Sequence, residues 1–466
     1  MFVLKKYEEY FESIKGKKVG FLGVGVSNLP LAFMYLERGF EVSVRDRRSA
    51  EQLGDTAKRL TDAGARLILG DGYLEGIYED ILFRSPGMKY HLPELCKARE
   101  AGVTVTGEIE MFFELCPCKI FAITGSDGKT TTTTIISKML EDAGKRVFLG
   151  GNIGTPLFPQ IAEVGPDDVA VVELSSFQLI SMKRSPDVAV ITNISPNHLD
   201  IHKDMDEYVN AKKNIFLHQT KEGRTVLNLR NDYTRSFAAE TVGECVFFSR
   251  TDEVAGAWCD ADGNMHSGGS VVMNAREIRV PGAHNVENYL AAFAALEGYV
   301  PHEVMASVAR SFPGVEHRLE LVCEGGGVRW YNDSKATTPT SGCAALRAMG
   351  DTPVLLIAGG SDKQTPFEPF AEEICRHVRL LILAGHTAPK IEAAVRGCSG
   401  FDSAKLQIIT TSGMEESVSV AAKNALSGEA VVLSPACASF DFYSCYEERG
   451  EHFKKLALAA CKGDRA

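Results

Sequence analysis

Residues 120–134 constrain this chain more than any other stretch. An apolar run, Ile120 to Ile123, leads into Gly125-Ser126-Asp127-Gly128-Lys129-Thr130 and then into a helix-like pattern through Ile135, Ile136, Met139 and Leu140. A buried strand, a glycine loop, Lys-Thr and a helix, in that order, make a phosphate cradle. The glycines let backbone N–H groups converge on an anion, the Lys129 ammonium supplies a point charge, and the Thr130 hydroxyl can ligate Mg²⁺. Where the standard loop has its first glycine, this chain has Ile123, so the loop is a shortened variant. It also begins well inside the chain, so a sizeable segment precedes it.

A chain of 466 residues is too long for one hydrophobic core and divides into roughly two to four domains. Hydrophobic content of 45% with 24% charged residues belongs to an ordinary folded protein. A net charge of −11 argues against nucleic acid as the main partner, because phosphate backbones select basic faces. One local cradle can still oppose that global sign and hold an anionic nucleotide. No apolar run approaches the ~20 residues of a membrane span, and Met1-Phe-Val-Leu-Lys-Lys6 has too short an apolar stretch for a signal peptide. The expected location is the cytoplasm. Twelve cysteines at wide spacings predict reduced thiols rather than disulfides. Cys116-Pro117-Cys118 is the one close pair, and its spacing suits zinc poorly.

Before the phosphate loop, Lys17 to Gly25 reads as a strand running into a glycine turn, Leu29 to Arg38 as a helix, and Glu41 to Asp46 as the next strand. This βαβ unit has the layout of a dinucleotide fold, yet Asn28 stands where the third glycine of the fingerprint belongs. The turn fits another phosphorylated ligand as well as it fits NAD. Asp46 can accept a hydrogen bond from a ribose or uracil, while Arg47 and Arg48 can pair with phosphate or simply form a solvated cluster. Further alternation runs through the turn Ser85-Pro86-Gly87 to Glu110, and Leu115 to Cys118 reads as a linker. After the phosphate loop come strands at Val169 to Glu173 and Val188 to Thr192, and an antiparallel excursion is expected between Val226 and Val280. Phe312-Pro-Gly-Val315 marks the next boundary. The remainder alternates again, with strands at Val354, Leu380, Leu406 and Ala430. The fold class is α/β in three domains: a Rossmann-like domain over 1–115, a central P-loop ATPase-like domain over 116–315, and a Rossmann-like domain over 316–466.

Glu173 ends an apolar strand beside the loop, where an ATPase places its metal-coordinating acid. His198, Asp200 and His202 follow the next strand and are either metal ligands or solvated side chains. Gly151-Asn152-Ile153-Gly154 is a tight turn. In the last segment, Asn332-Asp333-Ser334-Lys335-Ala336-Thr337, Gly359-Gly360-Ser361-Asp362-Lys363 and Ser434 to Asp441 all follow strands, at the ends where open α/β sheets bind ligands. Two of these loops carry lysines, and the third is expected to open a helix with small residues. Together they predict a carboxylate site.

With those motifs in order, the chain resembles the Mur ligases, ATP-dependent amide-bond-forming enzymes of peptidoglycan precursor synthesis. The likeness also takes in Asn210-Ala-Lys212, Gly282-Ala-His284-Asn285 with Asn288, and His317-Arg318, and it covers essentially the whole chain. It implies that Gly125, Ser126, Asp127, Gly128, Lys129, Thr130 and Thr131 hold ATP phosphates, with His284, Asn285 and Asn288 beside the adenine and Arg318 and Asp333 completing the site. It implies two Mg²⁺ ions, one on Thr130 and Glu173 and one on His198 and Lys212, the lysine acting as a carbamate. Gly25, Val26, Ser27, Asp46, Arg47, Ser85 and Gly87 align with the uridine-nucleotide pocket, and Asn152 and Ser175 with acceptor contacts. Lys335, Thr337, Lys363, Ser439, Phe440 and Tyr446 align with positions for D-glutamate. Lys129, His198 and Lys212 would carry the catalysis.

The implied reaction adds D-glutamate to UDP-N-acetylmuramoyl-L-alanine through an acyl phosphate, in a monomer with small-molecule partners alone. Two departures stand out: Ser195-Pro196-Asn197-His198 lacks the usual acidic residue before the histidine, and Tyr446 replaces a phenylalanine. The alternatives are another Mur-type amino-acid ligase or a folylpolyglutamate synthase-like ligase. Outside ligases they are a nucleotide-switch protein and, from the first glycine turn alone, a nicotinamide dehydrogenase.

Overall fold

Short apolar runs, each followed by a polar loop and an amphipathic helix, fold as parallel strands covered by helices. In the computed structural model, which describes residues 2–196, 202–280, 282–362 and 365–463, they build three sheets. The first contains β1 (Lys18–Leu22), β2 (Glu41–Asp46), β3 (Arg66–Leu69), β4 (Ile81–Arg84) and β5 (Thr104–Thr106), all parallel, in the order β3-β2-β1-β4-β5. The chain winds outward in both directions from β1. The turns leaving β1 and β4 therefore open side by side where the winding reverses, the crevice in which such sheets bind ligands.

The second sheet has nine strands: β6 (Lys119–Thr124), β7 (Val147–Gly151), β8 (Val169–Glu173), β9 (Val188–Ile191), β10 (Arg224–Asn228), β11 (Glu244–Ser249), β12 (Ala257–Cys259), β13 (Asn264–Ser267) and β14 (Ser270–Asn274). Its order is β14-β13-β12-β11-β10-β9-β6-β8-β7. β6 lies between β8 and β9, parallel to both, so the loop that leaves it is flanked by the ends of those two strands. The antiparallel excursion is narrower than expected: β10, β11 and β12 continue the parallel sheet, and only β13 and β14 reverse.

The third sheet has the order β15-β16-β20-β17-β18-β19. Its strands are β15 (Glu320–Gly325), β16 (Val328–Asn332), β17 (Val354–Ala358), β18 (Val378–Leu383), β19 (Gln407–Thr410) and β20 (Ala430–Leu433). It is parallel apart from the β15–β16 hairpin. Alternate residues of β17 feed opposite faces, as the two-residue period of a strand requires. Leu356 packs with Phe370 and Ile391, and Leu355 with Trp330 and Phe453.

The chain forms two compact units, Met1–Ala275 with Glu287–Val308, and Arg276–Val286 with Ala309–Ala466. In the first unit one apolar core runs unbroken from Phe21 and Phe83 through Phe112 to Ile120, Phe158 and Leu227. At the seam the buried Glu108 carboxylate accepts the N–H groups of Leu157 and Phe158, each at 2.7 Å, and burial pushes its pKa up to about 7. In the second unit Cys323 and Cys461 form a disulfide, where the sequence predicted reduced thiols. The pairing joins β15 to the end of the Tyr446–Cys461 helix. No helix among the described residues is long and apolar enough to cross a membrane.

Candidate active site

The phosphate loop is shaped by backbone that only glycine adopts cheaply. Gly125 has φ 152° and Gly128 φ 79°, and a Cβ on either would collide, with Thr192 Oγ1 and Asn288 Oδ1 respectively. Gly128 caps the Lys129–Asp142 helix, so the first N–H groups of that helix face the loop. The segment after β9 grips the loop from beside it. Ser126 N–H donates to Asn193 O at 2.9 Å, Asp127 N–H to Asn193 Oδ1 at 2.9 Å, and Thr192 Oγ1 to Asp127 O at 2.5 Å. Tyr208 OH lies 2.8 Å from Ser126 Oγ, and Thr132 Oγ1 donates to Asn288 Oδ1 at 3.2 Å. Thr130 and Thr131 are buried at the start of the helix.

Two lysines converge on one carbonyl of this loop. Lys129 Nζ donates to Gly125 O at 3.0 Å and Ser126 O at 2.8 Å. Lys212, near the end of the Met205–Lys213 helix, donates to the same Gly125 O at 2.8 Å and to Thr124 Oγ1 at 3.2 Å. Lys212 is only 2% exposed. Burial, reinforced by the Lys129 charge, holds its pKa well below the ordinary lysine value. Glu173, at the end of β8, is 1% exposed. Its Oε1 accepts Asn152 Nδ2 at 2.8 Å, while its Oε2 is buried without a hydrogen-bond partner. A buried carboxylate oxygen left unpaired at the end of the strand that flanks β6 and its phosphate cradle fits a hard cation such as Mg²⁺. His198 lies outside the described residues.

Ser175 caps the single helical turn Ser176–Leu179, with Gln178 completing a capping box. Ser176 Oγ lies 2.8 Å from His202 Nε2, His202 Nδ1 is 3.2 Å from Glu207, and the His202 ring stacks on Phe177 with centroids 5.3 Å apart. His202 is therefore not the solvated side chain of one reading: it is buried at 4% exposure, with a partner at each ring nitrogen.

At the winding reversal of the first sheet, Gly23 has φ 79°, and Gly25, Val26 and Arg47 are exposed. Asn28 is fully buried, and its Nδ2 donates to Leu22 O and Gly23 O, both at 3.0 Å, and to Ser85 Oγ at 3.3 Å. It therefore pins the turn after β1 to the turn after β4, which carries Ser85 and Gly87. Asp46 accepts Val24 N–H at 2.9 Å and three donors of Arg48 at 2.7–2.9 Å. Those bonds hold its carboxyl at about 2 against the burial that would raise it.

In the second unit, Arg318 sits between His317 at φ 61° and Leu319 at φ 46°, a strained corner held by Asn332, whose Nδ2 donates to His317 Nδ1 at 2.9 Å. Asp333 accepts Leu319 N–H at 3.1 Å and Ser434 Oγ at 2.8 Å, and burial pushes its pKa up to about 7. The Lys335 ammonium lies 5.5 Å from the centre of the Tyr446 ring. Thr337 is half-buried beside Lys335, and Ser439 is buried. Phe440 is 72% exposed. His284 is exposed and Asn285 buried at the start of the Ala283–Leu296 helix. Lys363 lies outside the described residues. The Ser434 loop opens no helix: Ala436 has φ 57°, Ala438 bridges to Ser361, and the next helix begins at Tyr446. Glu316, His317 and Glu451 also cluster, but the Lys454 ammonium sits on both carboxylates, at 2.5 and 3.0 Å.

The sequence pointed to neither Arg84 nor Tyr208, and it gave Asn28 and the motif residue Asn193 no shaping role. Tyr208 was accessible, one helical turn before Lys212 on the same face.

Residues 123–296 match the Mur ligase middle domain, and residues 317–437 match the Mur ligase, glutamate ligase domain. A protein of Acetivibrio thermocellus described as UDP-N-acetylmuramoylalanine--D-glutamate ligase is 47% identical over 97% of this chain and 98% of its own. Proteins of the same description are 43% identical in Clostridium botulinum (97% of this chain, 98% of theirs) and 44% identical in Clostridium kluyveri (97% and 99%). Among solved structures, a UDP-N-acetylmuramate-alanine ligase of Thermotoga maritima aligns with TM-score 0.58 at 17% identity over 95% of this chain and 100% of its own. A pseudomurein peptide ligase type C of Methanothermus fervidus gives 0.52 at 18% over 97% and 100%. These two speak to the fold alone. The chain belongs to the Mur ligase family.

Proposed function

We propose that this enzyme joins D-glutamate to the alanyl carboxylate of UDP-N-acetylmuramoyl-L-alanine, with ATP converted to ADP and phosphate. The observation that carries this reading is full-length identity of 43–47% to relatives named for that reaction. The site supports the chemistry. A free carboxylate is a poor electrophile, so it is first phosphorylated, and the D-glutamate amine then attacks the acyl phosphate and displaces phosphate. Donor and nucleophile are both anions. Lys129, the loop amides and Mg²⁺ seated on Thr130 and Glu173 would offset that repulsion.

Lys212 suits a carbamate: burial favours its neutral amine, the form that reacts with CO₂. The modified side chain and His198 would hold a second Mg²⁺. His284, Asn285, Asn288, Arg318 and Asp333 are proposed for the nucleoside side of ATP. The uridine nucleotide is assigned to the turns at Gly25–Ser27 and Ser85–Gly87, with Asp46 and Arg47. Asn152 and Ser175 are assigned to the acyl end, and Lys335, Thr337, Lys363, Ser439, Phe440 and Tyr446 to D-glutamate. This divides the work among residues 1–115, 116–315 and 316–466, in a monomer in the cytoplasm.

Phosphate release measured with UDP-N-acetylmuramoyl-L-alanine and single amino acids tests the reading. Release should require D-glutamate. Equal release with L-glutamate or meso-diaminopimelate would refute the specificity, and release without any amino acid would refute ligation as the purpose of the site.

A further inference from the structure

Arg84 ends β4 immediately before the turn Ser85-Pro86-Gly87, after three apolar residues that are all buried. It too is buried, at 4% exposure. Its four hydrogen bonds go to backbone carbonyl oxygens. Nη1 donates to Met88 O at 2.6 Å, Pro86 O at 3.3 Å and Ser85 O at 3.5 Å, and Nη2 to Phe177 O at 2.8 Å. A buried guanidinium satisfied by carbonyls is costly to keep. Its rigid fork does what no neutral side chain can, holding two separate stretches of backbone at a fixed spacing.

The stretches are informative. One is the turn after β4. The other is the four-residue turn Ser176–Leu179, too short to hold itself, which begins just beyond Glu173 and Ser175. His202 grips the same turn through Ser176 Oγ and the Phe177 ring. Arg84, Phe177, His202, Tyr90, His91 and Glu207 line a cavity of about 510 Å³.

We infer that Arg84 is a positioning residue for the acyl substrate: it ties the nucleotide turn to the Ser176–Leu179 turn. A substrate anchored by its uridine nucleotide then meets Ser175 and Glu173 at a set distance. This rests on the proposed function above.

The test is the steady-state kinetics of Arg84→Ala. Losing a charge-assisted bond on each side should raise KM for UDP-N-acetylmuramoyl-L-alanine about 10- to 100-fold and lower kcat, with KM for ATP and D-glutamate within about twofold. Millimolar methylguanidinium should restore much of that loss in the variant and leave the wild type unchanged. If Arg84→Ala does not fold, His202→Gln loosens the opposite grip and should shift the same KM. A wild-type KM for the uridine substrate in these variants would overturn the inference, as would equal rises in all three KM values. Wild-type protein unable to ligate would instead overturn the functional reading on which the inference stands.

Discussion

Two glycine turns in the first compact unit are built alike and do different things. Each leaves a parallel strand, turns through a left-handed glycine (Gly23 or Gly128, both at φ 79°) and enters a helix. Each has a carboxylate at the end of a neighbouring strand, Asp46 on β2 and Glu173 on β8. The difference lies in what those carboxylates already hold. Both oxygens of Asp46 are occupied, by Val24 N–H and the Arg48 side chain and backbone, so its charge is spent in fixing the turn. Glu173 keeps one buried oxygen unpaired, and its turn carries Lys129 and Thr130. Under the proposed function, a shared supersecondary unit would serve shape recognition in one place and charge stabilisation in the other.

Substitutions at the two turns can break that contrast. The largest effect belongs to the charged turn: Lys129→Ala should lower D-glutamate-dependent phosphate release about 10³-fold or more, since it removes a fixed charge from the transferred phosphoryl group. Glu173→Gln keeps the shape and the bond from Asn152 within reach. It should lower kcat about 10²-fold and raise the Mg²⁺ concentration needed for half-maximal rate, as a titration would read. A Mg²⁺ requirement unchanged in Glu173→Gln would mean that the unpaired oxygen seats no ion. Lys212→Ala should fall by a similar factor and regain activity with a short-chain carboxylic acid, though little with bicarbonate. Failure of every acid to rescue would leave the carbamate without support.

Asp46→Asn, at the shape-fixing turn, should be the mildest. KM for the uridine substrate should rise about tenfold while kcat changes little. Because the folded-state pKa of Asp46 is depressed to about 2, below the unfolded value, the group stabilises the fold above roughly pH 4. That contribution, about 2 kcal/mol, is lost as pH falls toward 2. Thermal melts of wild type and Asp46→Asn should therefore differ most at neutral pH and converge in acid.

Much of this contrast was legible because it is local. Gly125 to Thr130 and the strand ending in Glu173 announce themselves by composition and by the change from strand to helix period. What stayed hidden depends on which elements the topology makes neighbours. That Lys212 reaches the Gly125 carbonyl and Thr124 Oγ1 depends on where the tertiary fold sets the Met205–Lys213 helix, which no spacing reveals. Asn28 looked like a missing glycine, yet it is the side chain that pins two turns together. The Ser434 loop read as the start of a helix because small residues favour one. Its left-handed Ala436 and the bridge from Ala438 to Ser361 are tertiary features that override the propensity. The Cys323–Cys461 pair, 138 residues apart, was hidden for the same reason.

The phosphate loop, Glu173 and Lys212 are proposed to phosphorylate a carboxylate. UDP-N-acetylmuramoyl-L-alanine labelled with ¹⁸O in its alanyl carboxylate, turned over with ATP and D-glutamate, tests this most directly by mass spectrometry of the released phosphate. Attack of a carboxylate oxygen on the γ-phosphoryl group leaves that oxygen on phosphorus when the amine displaces it, so each phosphate should carry one ¹⁸O atom. Unlabelled phosphate, formed alongside ligated product, would rule out the acyl phosphate.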